Sequence, residues 1–184
     1  MTATSKPRQQ RGTTLIEQIM VLAIIGALTS VAVPSLSTML SRNQVQTAQT
    51  DFIAALRNAR QTAAYTGRRT LVCPSQDGLA CNGATRWDHG WLLGHDTDRD
   101  DQPDHGPLHV GHGYHDKVIM RSSRGRHIVR FHPDGSASGS NITVVFCDRA
   151  SQSQALTVVV SNSGRIRGAP GTAEQAASCL RAED

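Results

Sequence analysis

The amino-acid sequence predicts an α+β protein in which a long N-terminal helix packs on a C-terminal antiparallel β-sheet domain. Three observations carry that prediction. From Thr13 to Val33 run 21 residues whose only charge is Glu17. Val45, Ala48, Phe52, Ala55, Ala59 and Ala63 then recur at three- and four-residue steps among Gln, Arg, Asn and Thr. Beyond Thr70, short apolar and β-branched runs alternate with turn-forming residues at near-regular spacing.

The first of these stretches has the dimensions of a membrane span. Twenty-one helical residues rise roughly 31 Å, about the thickness of a bilayer's hydrocarbon core. Lys6, Arg8 and Arg11 precede it and the next charge after Glu17 is Arg42. The cation bias leaves the N-terminus in the cytoplasm and puts everything after Val33 outside it. A secretory signal would share the cations and the apolar run, but a carboxylate inside that run is foreign to it. An acid at this depth costs a few kcal/mol unless it finds a partner.

The second stretch is an amphipathic helix whose narrow apolar face lies on a globular body, with Gly67 as its C-terminal stop. The expected helix therefore covers 13–66, with the membrane span at 13–33 and the amphipathic half after it. The globular domain occupies 67–184. Expected strands are Thr70–Cys73, Trp87–Leu93, Lys117–Met120, His127–Phe131, Ile142–Phe146 and Ala155–Val160. Pro133-Asp134-Gly135, Ser138-Gly139-Ser140 and Ser161-Asn162-Ser163-Gly164 separate the later ones as turns.

The formal charge of +4 sits largely in the first twelve residues. Without Lys6, Arg8 and Arg11, 16 cations face 15 anions, so any nucleic-acid surface must be local. Asp96, Asp98, Asp100, Asp101 and Asp104 gather negative charge in one loop, while arginines dominate 121–130 and 165–167. Four cysteines, Cys73, Cys81, Cys147 and Cys179, lie on the side predicted to be outside the cytoplasm, where disulfides persist. They allow three connectivities, and residue spacing does not choose among them. The favoured pairs are Cys73–Cys81, closing a short turn-rich loop, and Cys147–Cys179, tethering the C-terminal tail. Zinc is the weaker reading, because no CxxC pair is present.

Arg11-Gly12-Thr13-Thr14-Leu15-Ile16-Glu17 and the apolar helix behind it resemble the class III leader of type IV pilins and type II secretion pseudopilins. The resemblance implies that residues 1–12 are a leader. A prepilin peptidase would cut between Gly12 and Thr13 and methylate the Thr13 amine, and Glu17 would neutralise that amine on a neighbouring subunit during assembly. Pro34 stands where many pilins carry a helix-kinking proline. Thr13 replaces the usual Phe, and Gln18 puts an amide where an aliphatic residue is usual. Downstream, Cys73-Pro74, Trp87 with Gly90-Trp91, Phe131-His132-Pro133-Asp134-Gly135-Ser136 and Gly164-Arg165-Ile166-Arg167 resemble the GspH/FimT type of minor pilins and pseudopilins. The implied fold is type IV pilin-like. The implied location is the inner membrane, single-pass with a periplasmic C-terminus, followed by the pilus or pseudopilus. The implied partners are other pilins, the prepilin peptidase and, before assembly, membrane lipid.

Arg165 and Arg167 project to one side of an extended chain, with Ile166 on the other. Two guanidiniums so placed suit phosphate contact, although a solvated strand end has the same pattern. In FimT-type pilins a GRxR motif at this place is implicated in DNA binding, so the resemblance implies Gly164, Arg165 and Arg167 as a site for double-stranded DNA. Arg124, Arg126 and Arg130 are candidates to extend it, against the alternative of a solvated strand face. The competing function is a structural pseudopilin of a type II secretion system, or a pilus-priming subunit, without DNA binding.

The acidic loop has the alternating carboxylates of a calcium loop but carries Asp101 and Pro107 where Gly and Glu are expected. The default for it is an acidic solvated turn. His109, His112 and His115 recur at steps of three, but Gly111 and Gly113 argue against a helix, so the default there is a histidine-rich flexible loop. No metal set and no cofactor is adopted. Neither a nucleophile elbow nor HExxH nor a phosphate-cradling glycine loop occurs, and an enzyme is not expected.

Overall fold

A computed structural model describes residues 12–114, 117–149 and 155–181, without the side chains of Val31, Pro34, Ser37, Thr38, Leu180 and Arg181. His115 and residues 1–11 of the expected leader, with Lys6, Arg8 and Arg11, lie outside the described residues. The chain divides into two compact units, one ending at Met39 and the other Leu40–Asp184.

Helix α1 spans Leu15–Thr66. It starts two residues later than expected, with Thr13 and Thr14 ahead of it. The Thr14 carbonyl accepts the amides of Glu17 and Gln18 at 3.1 and 3.3 Å, and Glu17 falls in the first turn, where the helix dipole favours an anion. Leu15, Ile16, Ile19, Met20, Leu22 and Ile25 are all exposed. Among the described residues no helix is long and apolar enough to cross a membrane, and the span expected at 13–33 includes Val31, whose side chain is not described.

In the second unit all six residues of the expected apolar stripe are buried, together with Leu56. Gly67 ends the helix in the left-handed region (φ 67°), its amide donating to the Ala63 carbonyl at 3.0 Å. That is the αL cap glycine permits without strain. Two four-stranded antiparallel sheets follow. The strands are β1 Thr70–Pro74, β2 Trp91–His95, β3 His109–Gly111, β4 Val118–Ser122, β5 Val129–Phe131, β6 Ile142–Asp148, β7 Ala155–Val160 and β8 Ile166–Pro170. The first sheet has order β3-β2-β1-β5 and the second β4-β6-β7-β8.

Their inner faces share one core with α1, built around Phe52, Trp87, Trp91, Phe131 and Phe146. The outer face of the second sheet carries a smaller cluster in which Ile119, Cys147 and Ala155 meet Ala176 and Cys179 of helix α2, Ala173–Arg181. Disulfides join Cys73 to Cys81 and Cys147 to Cys179, the favoured pairing. The second bridge fixes α2 on β6.

Two expectations are corrected, and the disulfide-tethered C-terminal tail gains a conformation that the sequence reading does not assign. Trp87 lies ahead of β2 rather than in it, buried with its amide bonded to the Met120 carbonyl at 2.9 Å. Part of the histidine loop is β3, which pairs with Trp91–Leu93 of β2. The C-terminal tail is helical, begun by reciprocal bonds in which Thr172 N donates to Gln175 Oε1 (2.8 Å) and Gln175 N to Thr172 Oγ1 (3.2 Å). This is a capping box.

Candidate nucleic-acid interface

Gly164 explains where the two arginines sit. Its φ is 76°, its amide donates to the Ser161 carbonyl at 2.8 Å, and Ser161 N donates to the Arg165 carbonyl at 3.0 Å. The turn thus closes the β7–β8 hairpin. A Cβ on Gly164 would fall 2.0 Å from the Gly135 carbonyl oxygen, so this turn touches the His132–Ser136 turn backbone to backbone. The His132–Ser136 turn is itself closed by His132 N to Ser136 O and Gly135 N to His132 O, both 2.8 Å. Arg60 of α1 fastens the junction, its Nε donating to the Gly135 carbonyl at 2.9 Å.

From this junction β8 runs along the edge of the second sheet. Ile166 packs toward the core, and a Cβ on Gly168 would meet Ile53 Cδ1 at 2.9 Å, so both face α1. Arg165 and Arg167 therefore face outward, and both are exposed. Their spacing along the strand is about 7 Å. Among the described residues neither guanidinium has a hydrogen-bond or ion-pair partner.

Sheet register extends this face. Directly paired residues share a side of the sheet. Thr143, Val159 and Arg167 stand opposite one another across β6, β7 and β8, as do Arg121, Val145, Thr157 and Ala169 across β4 to β8. Arg121 thus lies on the same outer face as Arg167. Arg124, just past β4, lines a groove with Arg121, Thr143, Gln175 and Ser178. Three strand spacings of about 4.8 Å separate the two edges, so arginines border this face across about 14 Å. Sequence reasoning did not single out Arg121, because its place depends on which strands become neighbours.

The other candidates part from this face. Arg126 is exposed and its Nη1 donates to the Gly139 carbonyl at 3.2 Å. Arg130 belongs to β5 of the first sheet, where Nε donates to Asp101 Oδ1 at 2.6 Å and Nη2 pairs with Oδ2. The Arg130 bond holds the Asp101 carboxyl below its ordinary pKa, against the desolvation that would raise it. Arg69 also donates to Asp101, at 3.1 Å. Asp101 and its neighbouring acids lie with the first sheet, away from the arginine face.

At the other end of the chain, Gly12, Thr13 and Glu17 are exposed. Gln18 Nε2 donates to Thr13 Oγ1 at 3.1 Å, so these two polar side chains satisfy each other. His109 packs its ring on Trp91 with centroids 5.5 Å apart.

A family model described as Type II transport protein GspH matches residues 48–164. The match stops at Gly164, so Arg165 and Arg167 lie just past it, and Gly12, Thr13 and Glu17 lie before it. No protein with a curated description matches the chain. Among solved structures, the type IV minor pilin FimU of Pseudomonas aeruginosa is similar with a TM-score of 0.57 and 18% identity, covering 72% of this chain and 92% of FimU. The minor pseudopilin EpsH from the type 2 secretion system of Vibrio cholerae is similar with a TM-score of 0.50 and 11% identity, covering 69% and 97%.

Proposed function

The chain belongs to the family of the type II transport protein GspH, and from that premise we propose that it is a minor pilin that binds double-stranded DNA for uptake in natural transformation. The observation that carries the DNA reading is the exposed pair Arg165, at the end of the β7–β8 turn, and Arg167, on the edge strand β8, neither with a carboxylate partner among the described residues. The structural likeness to a minor pilin and a minor pseudopilin supports the filament half of the reading. Phosphate contact of this kind is sequence-independent and weakens with salt. Arg121 and Arg124 lie on the same side of the sheet, in a groove bordered by Gln175 and Ser178 of α2, which packs on that face.

The assembly half rests on the N-terminal segment. The exposed apolar side chains of Leu15 to Ile25 need cover. Lipid of the inner membrane provides it before assembly, with the C-terminal domain in the periplasm, and the helices of other pilins provide it in the filament. Prepilin peptidase cuts between Gly12 and Thr13 and methylates Thr13, and Glu17 then pairs with the new amine of an adjacent subunit. Glu17→Ala is expected to leave the subunit out of filaments sheared from cells. The variant should still be cleaved and its folded sheet unit should melt at the parent temperature. Unchanged incorporation would overturn the role of Glu17.

The DNA reading is tested with the full chain in detergent micelles, titrated with labelled duplex at several salt concentrations. The parent is expected to bind in the micromolar range, typical of non-specific contacts. Arg165→Ala/Arg167→Ala should flatten the log–log salt slope by about 1.8, two lost phosphate contacts at about 0.9 each. If the parent does not bind at low salt, the reading becomes that of a structural pseudopilin or priming subunit, which the likeness to EpsH favours.

A further inference from the structure

In the loop between β2 and β3, Asp98 and Asp100 are exposed as in a solvated acidic turn, but Asp96 departs from that reading. Asp96 is fully buried. Its amide donates to the Arg69 carbonyl at 2.9 Å, and its Oδ2 pairs with the Arg69 guanidinium. The other oxygen, Oδ1, is buried with no hydrogen-bond partner among the described residues. A buried anionic oxygen without a donor is costly, and in folded proteins it marks a strained or ligand-binding position.

Two further carboxylates converge on it. Ligand oxygens of Asp96, Asp98 and Asp100 all lie within 4.8 Å of one another. Asp98 Oδ1 accepts the Asp100 amide at 3.2 Å and Asp100 Oδ1 accepts the Gln102 amide at 2.8 Å. Each residue therefore uses one oxygen inside the loop and leaves one for a ligand. Arg69 satisfies half of Asp96, while Asp101 is held by Arg130 and Arg69. Neither arginine bonds to Asp98 or Asp100 among the described residues. Three carboxylate oxygens at this separation fit around one hard cation with bonds of about 2.3–2.6 Å, and oxygen-only ligation selects calcium over softer metals.

We propose that Asp96, Asp98 and Asp100 bind a calcium ion, which completes the buried Asp96 carboxylate and fixes the loop on the first sheet. The loop is already tied to the Cys73–Cys81 bridge, since Cys81 N donates to Gln102 Oε1 at 2.8 Å and Gln102 Nε2 to the Cys81 carbonyl at 3.3 Å. Calcium would thus order the loop, the bridge and Arg69, just ahead of β1, together. This site is on the first sheet and does not depend on the DNA reading.

Full-length protein in detergent micelles, stripped with a chelator, is titrated with calcium chloride by calorimetry and melted with and without 10 mM calcium, with magnesium as control. The expected result is one ion bound per chain with a dissociation constant of about 0.1–1 mM and a melting temperature raised by about 5 °C. Asp98→Asn/Asp100→Asn keeps the Oδ1 acceptors that shape the loop, so this variant should melt at the calcium-free parent temperature and lose the calcium response. No heat in the parent titration, an equal response to magnesium, or an undiminished shift in the variant would each overturn the assignment.

Discussion

Replacing Phe52 by alanine is expected to cost about 4 kcal/mol of unfolding free energy, within the range for emptying a fully buried phenylalanine site. Phe52 is 1% exposed and joins three elements. Its ring meets Trp91 of the first sheet at 6.0 Å, Phe146 of the second sheet at 5.8 Å and, edge-on at 5.3 Å, Trp87, whose amide is bonded to Met120 of the second sheet. Such aromatic contacts add to the burial itself. On α1 its core neighbours at three- and four-residue steps are Ala48, Ala55 and Leu56, and a packed core relaxes only partly around a deleted ring, so a cavity remains. A domain of this size has only about 5–15 kcal/mol to lose. Chemical denaturation of the full chain checks this, with Phe52→Leu expected to cost under about half as much because it keeps most of the volume. A loss below about 1 kcal/mol for the alanine variant would mean that the helix is not held to the sheets through this ring.

The amphipathic half of α1 was legible because a period of 3.6 needs no tertiary information. Val45, Ala48, Phe52, Ala55, Ala59 and Ala63 are all buried, and Gly67 ends the helix where an αL residue is wanted. Strands β6 and β7 were legible because Ile142–Phe146 and Ala155–Val160 are β-branched and apolar. β3 was not. His109-Val110-Gly111 has no strand character of its own and exists because β2 offers an edge and Trp91 a ring. The capping box Thr172-x-x-Gln175 was present in the sequence and could have announced α2.

The candidate site divides the same way. That Arg165 and Arg167 face outward follows from alternation along one strand. That Arg121 and Arg124 share their face while Arg130 does not follows from the order β4-β6-β7-β8 and from β5 joining the other sheet, which are non-local facts. Asp96 reads as a surface acid until Arg69, 27 residues earlier, folds over it. The contact between the Gly135 and Gly164 turns is the least legible and the most consequential, because two turns separated by β6 and β7 meet through backbone atoms alone.

Gly164→Ala is therefore expected to destabilise the fold by about 2–5 kcal/mol. A left-handed φ of 76° costs an alanine about 1–2 kcal/mol. The new methyl would then stand 2.0 Å from the Gly135 carbonyl oxygen and 3.2 Å from Arg60 Nε. The carbonyl belongs to a closed turn and cannot swing away without breaking its bond to Arg60, so overpacking adds about 1–3 kcal/mol. Gly67→Ala separates the two contributions. There φ is 67° but nothing lies within 4 Å of the added Cβ, so only the conformational cost of about 1 kcal/mol remains. The contrast bears on function as well as stability. Arg165→Ala/Arg167→Ala removes the charges and leaves the hairpin intact, whereas Gly164→Ala keeps the charges and displaces the hairpin that presents them. Measured below its melting temperature, the glycine variant should bind duplex DNA more weakly than the parent with a salt slope still above that of the arginine variant. Parent-like stability in Gly164→Ala would show that the two turns can separate freely, and the glycine would then have no part in aiming the arginines.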